Sequence, residues 1–140
     1  MYRETQDKKY LDQAINIARF YLTHPNLPAD KVPYWDFHAP NIPNEERDAS
    51  AAAITASALL ELQAYVKGKL RKTYVKAAEQ MLESLCSPAY RAEVGTNNHF
   101  MIKHCTGHKP GKSEIDVPLV YADYYFLEAL LRYDKLTRSK

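Results

Sequence analysis

The feature that most constrains this chain is an alternation between two kinds of helix. Ala49 to Val66 carries almost no charge. Ala51, Ala52, Ala53, Ile54, Ala56, Ala58, Leu59, Leu60, Leu62, Ala64, Tyr65 and Val66 would point to every side of a helix. A helix that is apolar all round is buried all round. Leu119 to Tyr133 reads the same way, with few wet positions. Lys8 to Thr23 and Leu70 to Leu85 are different. Each has one apolar stripe at three-and-four spacing, Tyr10, Leu11, Ala14, Ile15, Ala18, Tyr21 and Leu22 in one, and Leu70, Tyr74, Ala77, Ala78, Met81, Leu82 and Leu85 in the other. Two one-sided helices cannot enclose two fully apolar ones, and a free-standing four-helix bundle needs four similar stripes. The order predicts an all-α fold in two concentric layers, part of a double-layered helical barrel. Four main helices supply only part of such a ring, so its apolar flanks should be bare.

The helix ends have local causes. Pro25 stops the first helix, because proline cannot continue the ladder. Asp48 precedes the second, where its carboxylate can cap the free N–H groups. Gly68 predicts a left-handed cap after it. Pro88 stops the third, and Pro118 sits at the first turn of the fourth, a favoured place for proline. Leu136 to Lys140 reads as a frayed polar tail.

Two long loops remain. Asn26 to Arg47 holds Pro28, Pro33, Pro40 and Pro43, yet Tyr34, Trp35, Phe37 and Ile42 argue for order. Ala89 to Asp116 contains Phe100, Met101 and Ile102, a strand-like piece, and Thr106 to Gly111, which is turn chemistry. Loops held by a rigid framework are where binding groups are placed.

Composition narrows the partners. The net charge is +2, which argues against nucleic acid. The basic run Lys67, Lys69, Arg71 and Lys72 falls at a helix–helix turn and reads as a solvated corner. No apolar run approaches a membrane span, and Met1 to Asp7 is not a secretory signal. Two cysteines, Cys86 and Cys105, make no framework of staples and fit a reducing, cytoplasmic setting.

Two long strings carry a resemblance. PYWDFHAPNIPNEERDASAAAITASALLEL, from Pro33 to Leu62, and SEIDVPLVYADYYFLEALLR, from Ser113 to Arg132, closely resemble the C-terminal portion of unsaturated glucuronyl hydrolases, glycoside hydrolase family 88. The similarity runs through nearly the whole chain. It implies an (α/α)6 barrel of six helical hairpins, of which residues 1–140 would be an incomplete C-terminal part. It also implies release of an unsaturated uronic acid from the non-reducing end of lyase-generated glycosaminoglycan oligosaccharides. In that chemistry an aspartic acid protonates C4 of the vinyl ether and water adds at C5. The hemiketal then opens and expels the remaining sugar. The family's catalytic aspartates lie in earlier hairpins whose sequence is absent here, so no catalytic residue is assigned and no turnover is expected from this chain alone. The family needs no cofactor and no metal.

The resemblance points to His104, Cys105, Thr106, His108 and Lys109 as the substrate-contacting loop. Basic and hydrogen-bonding groups suit an anionic sugar. His99, His104, His108 and Cys105 match no standard zinc spacing. Trp35, the sole tryptophan, is either a stacking wall for a sugar ring or an anchor for its loop, with the anchor slightly favoured. Asp36, Glu45 and Glu46 read as solvated or capping carboxylates rather than general acids. Arg47 reads as a brace for its loop rather than a clamp on a substrate carboxylate. Ser113, Glu114 and Asp116 read as turn and capping groups, and Tyr121, Tyr124 and Tyr125 mainly as core. Two other functions stay open: a helical module that self-associates through exposed apolar flanks, and part of a rhamnogalacturonyl hydrolase.

Overall fold

The computed structural model describes residues 1–138. A four-residue turn, α1 (Tyr2–Thr5), precedes α2 (Lys8–Thr23), α3 (Ala49–Leu62), α4 (Gly68–Cys86) and α5 (Val120–Arg138). The four main helices and the two long loops are those expected. Among the described residues the loops hold no extended strand pair, only isolated antiparallel bridges such as Tyr34 with Arg47 and Cys105 with Val117. The strand-like piece shrinks to one bridge, Arg91 with Ile102.

Some boundaries shift. Past Leu62, α3 tightens into a 3-10 turn over Gln63–Tyr65, so it stops short of Val66. Gly68 is left-handed with φ +60°, as expected, but it opens α4 rather than closing one continuous helix. Leu136 to Arg138 is the last turn of α5, not a frayed tail, and Arg138 pairs with Asp134 at 2.8 Å one turn back. Residues 139–140 of that predicted tail lie outside the described residues.

Contacts along α3 and α5 fix their relative direction. Ser57 bonds Glu128, Arg132 pairs with Glu61 at 2.7 Å, and Tyr121 lies beside Ser50. Each pair is separated by the same 71 residues, so the two helices run parallel in one register. Arg132 also donates to the Ser57 carbonyl at 2.7 Å. The flanking helices run the other way. Arg3, ahead of α2, reaches Glu61 near the C-terminal end of α3, whereas Tyr21 at the far end of α2 bonds the Lys31 carbonyl. Ser84, late in α4, bonds the Asp30 carbonyl in the first loop. Thus α2 and α4 run antiparallel to α3 and α5, α4 packs on α3 across a short turn, and α3 and α5 are like-directed neighbours. This is the repeat of a double-layered barrel.

Burial follows the stripes on the outer helices. Tyr74, Ala77, Ala78, Met81, Leu82 and Leu85 of α4 are buried, and only Leu70, at its first turn, is wet. The expectation of all-round burial for α3 and α5 is corrected. Ala49, Ala52, Ala53 and Ala56 of α3 have no exposure, but Ile54 and Ala58 face solvent. On α5 only Ala122, Phe126 and Ala129 are buried. Val120 is 71% exposed, Tyr124 60%, Leu127 47% and Leu131 61%. Fully burying such a side chain is worth about 1.5–3 kcal/mol, and that gain is largely unrealised on this face. The physical reason is that no other element among the described residues lies there.

Candidate functional site: the loop pole of the inner helices

Because α3 and α5 are parallel, their N-termini share one pole, and both long loops meet there. Asp48 is the joint. Its carboxylate accepts the Ser50 N–H at 3.0 Å, the Ser50 hydroxyl at 2.6 Å and the Thr106 N–H at 3.3 Å. The first N–H of α3, from Ala49, donates to the His104 carbonyl at 3.0 Å. The second loop therefore completes the cap of α3. Asp123, in the first turn of α5, holds the same loop from the other side by accepting from Met101 N and Ile102 N at 2.9 and 3.0 Å.

Arg47 is spent inside the first loop. It donates to the Val32 carbonyl at 3.1 Å, pairs with Asp30, and lies over the rings of Tyr34 and Tyr90. Tyr90 hydroxyl also donates to Asp30 at 2.9 Å. The geometry is a brace between the loops and leaves the guanidinium no free fork for a ligand.

Trp35 and Lys109 come together, 5.3 Å from ammonium to ring centroid. Glu45 joins them. It accepts Trp35 Nε1–H at 2.9 Å and the Asn41 side-chain amide at 3.0 Å, and Lys109 pairs with both Glu45 and Glu46. The Glu45 side chain is 2% exposed. The bond from Lys109, then that from Trp35, holds its carboxyl at about 2. A general acid must carry a proton near working pH, and a carboxyl held that low is ionised there. Its attraction raises the Lys109 ammonium above the ordinary lysine range. Glu45, expected as a solvated or capping carboxylate, instead has its side chain almost fully covered. Its partner lies 64 residues away. Asp123 gave a fainter signal, an acid in the first turn of an otherwise apolar helix.

The remaining candidates divide by depth. Cys105 is fully buried and exchanges two backbone bonds with Val117; burial pushes its thiol up to about 12. Thr106 is buried, and its hydroxyl donates to the Arg47 carbonyl at 3.0 Å. The resemblance points to these two side chains for substrate contact; in this structure they pack the underside of the loop. His104 is half-exposed, with Nδ1 2.6 Å from Asp116 Oδ1. His108 is exposed at the tip, close to Ser113. His104, Lys112, Glu114 and Asp116 all take positive φ, a conformation costing about 1–3 kcal/mol each in non-glycine residues and concentrated at binding and switch sites. No group of three or more His, Cys, Asp or Glu among the described residues is placed to hold a metal.

A cavity of about 310 Å³ opens beside Trp35, lined also by Phe20, Tyr21, Tyr34, Phe37 and His38. No helix among the described residues is long and apolar enough to cross a membrane.

A chain of parallel inner and antiparallel outer helices, with braced loops at one pole, is a portion of a helical-barrel protein. No family model matches it. An unsaturated glucuronyl hydrolase of Formosa agariphila is 51% identical over 135 residues, 96% of this chain and 33% of that protein. The crystal structure of an unsaturated glucuronyl hydrolase specific for heparin superposes with a TM-score of 0.93 at 49% identity, covering 98% of this chain and 36% of that one. A variant of the Streptococcus agalactiae enzyme, complexed with dGlcA-GalNAc6S, superposes with a TM-score of 0.84 at 28% identity over 94% of this chain and 35% of that one. Over nearly its whole length the chain matches a portion of the unsaturated glucuronyl hydrolases, and it spans about a third of the relatives it matches.

Proposed function

We propose that this chain is the C-terminal portion of an unsaturated glucuronyl hydrolase acting on lyase-generated glycosaminoglycan oligosaccharides, and that it does not turn over alone. The observation that carries this is the TM-score of 0.93 with the heparin-specific enzyme over 98% of the chain. In the whole barrel the reaction would hydrate the 4,5 double bond. A carboxyl group outside this chain gives its proton to C4, and water adds at C5. The hemiketal opens, and the C1–O bond breaks to release the remaining sugar.

The part left to this chain is recognition. His104, His108 and Lys109 stand at the surface of the loop pole and can donate hydrogen bonds to carboxylate or sulfate oxygens. Trp35 supplies a fixed wall, since its N–H is tied to Glu45. Cys105 and Thr106 act beneath them by holding the loop against α3.

The test joins this chain to the part of the Formosa agariphila relative that it does not match. Loss of ultraviolet absorbance by the conjugated double bond is followed on unsaturated heparin and chondroitin disaccharides. The joined protein should consume at least one of them, and this chain alone should consume neither. His104→Ala and Lys109→Met in the joined protein should raise KM with little change in kcat, because they remove binding and leave the proton donor in place. A folded joined protein inactive on both sugars would refute the reading.

A further inference from the structure

One ammonium is shared between two carboxylates where the two loops meet. Lys109, from the second loop, pairs with both Glu45 and Glu46 of the first. Glu45 is well supplied without Glu46. Its carboxylate also accepts the Trp35 Nε1–H, the Asn41 backbone N–H at 3.2 Å and the Asn41 side-chain amide, and its side chain is covered. Glu46 differs on each count. Its side chain is 36% exposed, and among the described residues its carboxylate bonds Lys109 alone. The pair of Glu45 with Lys109 would already balance its charges. The second carboxylate leaves the trio with a surplus negative charge and sets two like charges beside each other. The backbone of Glu46 has a separate task, since its carbonyl accepts the Trp35 N–H at 3.0 Å. The side chain can therefore leave Lys109 while the loop keeps its shape.

We propose that Glu46 is a specificity-determining residue: its carboxylate stands in on Lys109 for an oxyanion of the sugar, and the ligand binds by displacing it. The proposal rests on the recognition role given to Lys109 above and adds the group that competes for it. The three side chains divide the work by depth. Glu45, held by its other donors, keeps the ammonium beside the Trp35 ring, 5.3 Å from the centroid. Glu46 lies at the wet edge and is the partner that a ligand meets. Lys109 is itself 26% exposed, so an oxygen that takes the place of Glu46 reaches it from solvent. A sulfate or carboxylate oxygen replaces the lost bond with one of the same charge-assisted kind. A hydroxyl of a neutral sugar offers a weaker bond and leaves the Glu46 pair closed. Selection for an anion thus comes from the internal competitor as well as from the cation. The competitor also weakens binding of the right anion, by the fraction of molecules in which Lys109 stands free.

The experiment titrates the full 140-residue chain with sodium sulfate, against sodium chloride at equal ionic strength. Emission of Trp35, the sole tryptophan, reports the ammonium beside its ring. Sulfate should change that emission saturably, and chloride should not. Glu46→Gln should lower the half-saturating sulfate concentration ~3- to 5-fold, the worth of a partly exposed ion pair. Lys109→Met should abolish the response. Glu4→Gln removes the same charge beside Arg3 at the opposite pole and should leave the concentration unchanged. A Glu46→Gln curve that overlays the parental one, a sulfate response that survives Lys109→Met, a parent that answers sulfate no better than chloride, or an equal gain from Glu4→Gln would each overturn the proposal. In the joined protein, Glu46→Gln should lower KM for the unsaturated heparin disaccharide by the same factor and leave kcat unchanged. An active joined protein whose KM ignores Glu46→Gln sinks the displacement and keeps the function. A folded, inactive joined protein beside the expected sulfate results sinks the function and keeps the displacement.

Discussion

α3 and α5 look alike as text and differ as objects. Both carry long apolar runs, with Glu61 the one charge in α3 and Asp123, Glu128 and Arg132 interrupting the run in α5, and both lie in the inner layer. Yet α3 buries nine of its residues and α5 three. The difference lies in the neighbours, not in the helices. α3 has α2, α4 and α5 against it, while α5 is the end of the arc. Apolar periodicity therefore reports burial in the complete assembly and not in whichever stretch of chain is at hand.

Four substitutions sharpen that contrast, the largest effect first. Ala56→Asp puts an unpaired charge into the close-packed face of α3, a change of the class that costs about 4 kcal/mol or more. Loss of the helical circular-dichroism signal at room temperature should follow; a cooperative melt near the parental temperature would mean that α3 is not the core. Asp48→Ala removes the helix cap and the acceptor for Thr106 N at once. It should cost about 1–2 kcal/mol in urea denaturation, and a parental midpoint would show that the loops do not depend on this joint. The third concerns pH. Glu45 titrates lower in the folded chain, about 2 against an ordinary 4.5. The stability it adds is therefore full above about pH 4.5 and is lost as the pH falls toward 2. Glu45→Gln should flatten that acid limb of a melting-temperature profile, and an unchanged limb would exonerate Glu45. Smallest of all, Leu127→Ser on the bare face should move the midpoint by no more than about 0.5 kcal/mol. A large loss there would show that the stripe is packed in the free chain.

The sequence made the local features legible. The start of α2 at Lys8 and its end at Thr23, and the start of α3 behind Asp48, follow from neighbours within a few residues. The order of one-sided and apolar helices gave the layered fold. From sequence, Leu136 onward reads as a polar tail, and only the pairing of Arg138 with Asp134 along the helix shows its first residues as the last turn of α5. The site was legible only in outline. Trp35 and Lys109 lie in different loops, and nothing local in the sequence says that they touch. Cys105 and Thr106 stand in the same turn as His104 and His108, yet they face inward, because the bridge of Cys105 to Val117 sets which side chains turn under the loop.

The common direction of α3 and α5 has one more consequence. Antiparallel neighbours cancel their peptide dipoles, but parallel ones add. Each N-terminus carries about half an elementary positive charge, and the carboxylates of Asp48 and Asp123, with the C-terminal ends of α2 and α4 at the same pole, more than cancel it. At the other pole α5 ends in Lys135 and Arg138. The peptide groups of the parallel pair thus favour capping carboxylates at one end and cations at the other, and they leave any positive potential at the loop pole to the side chains of the loops.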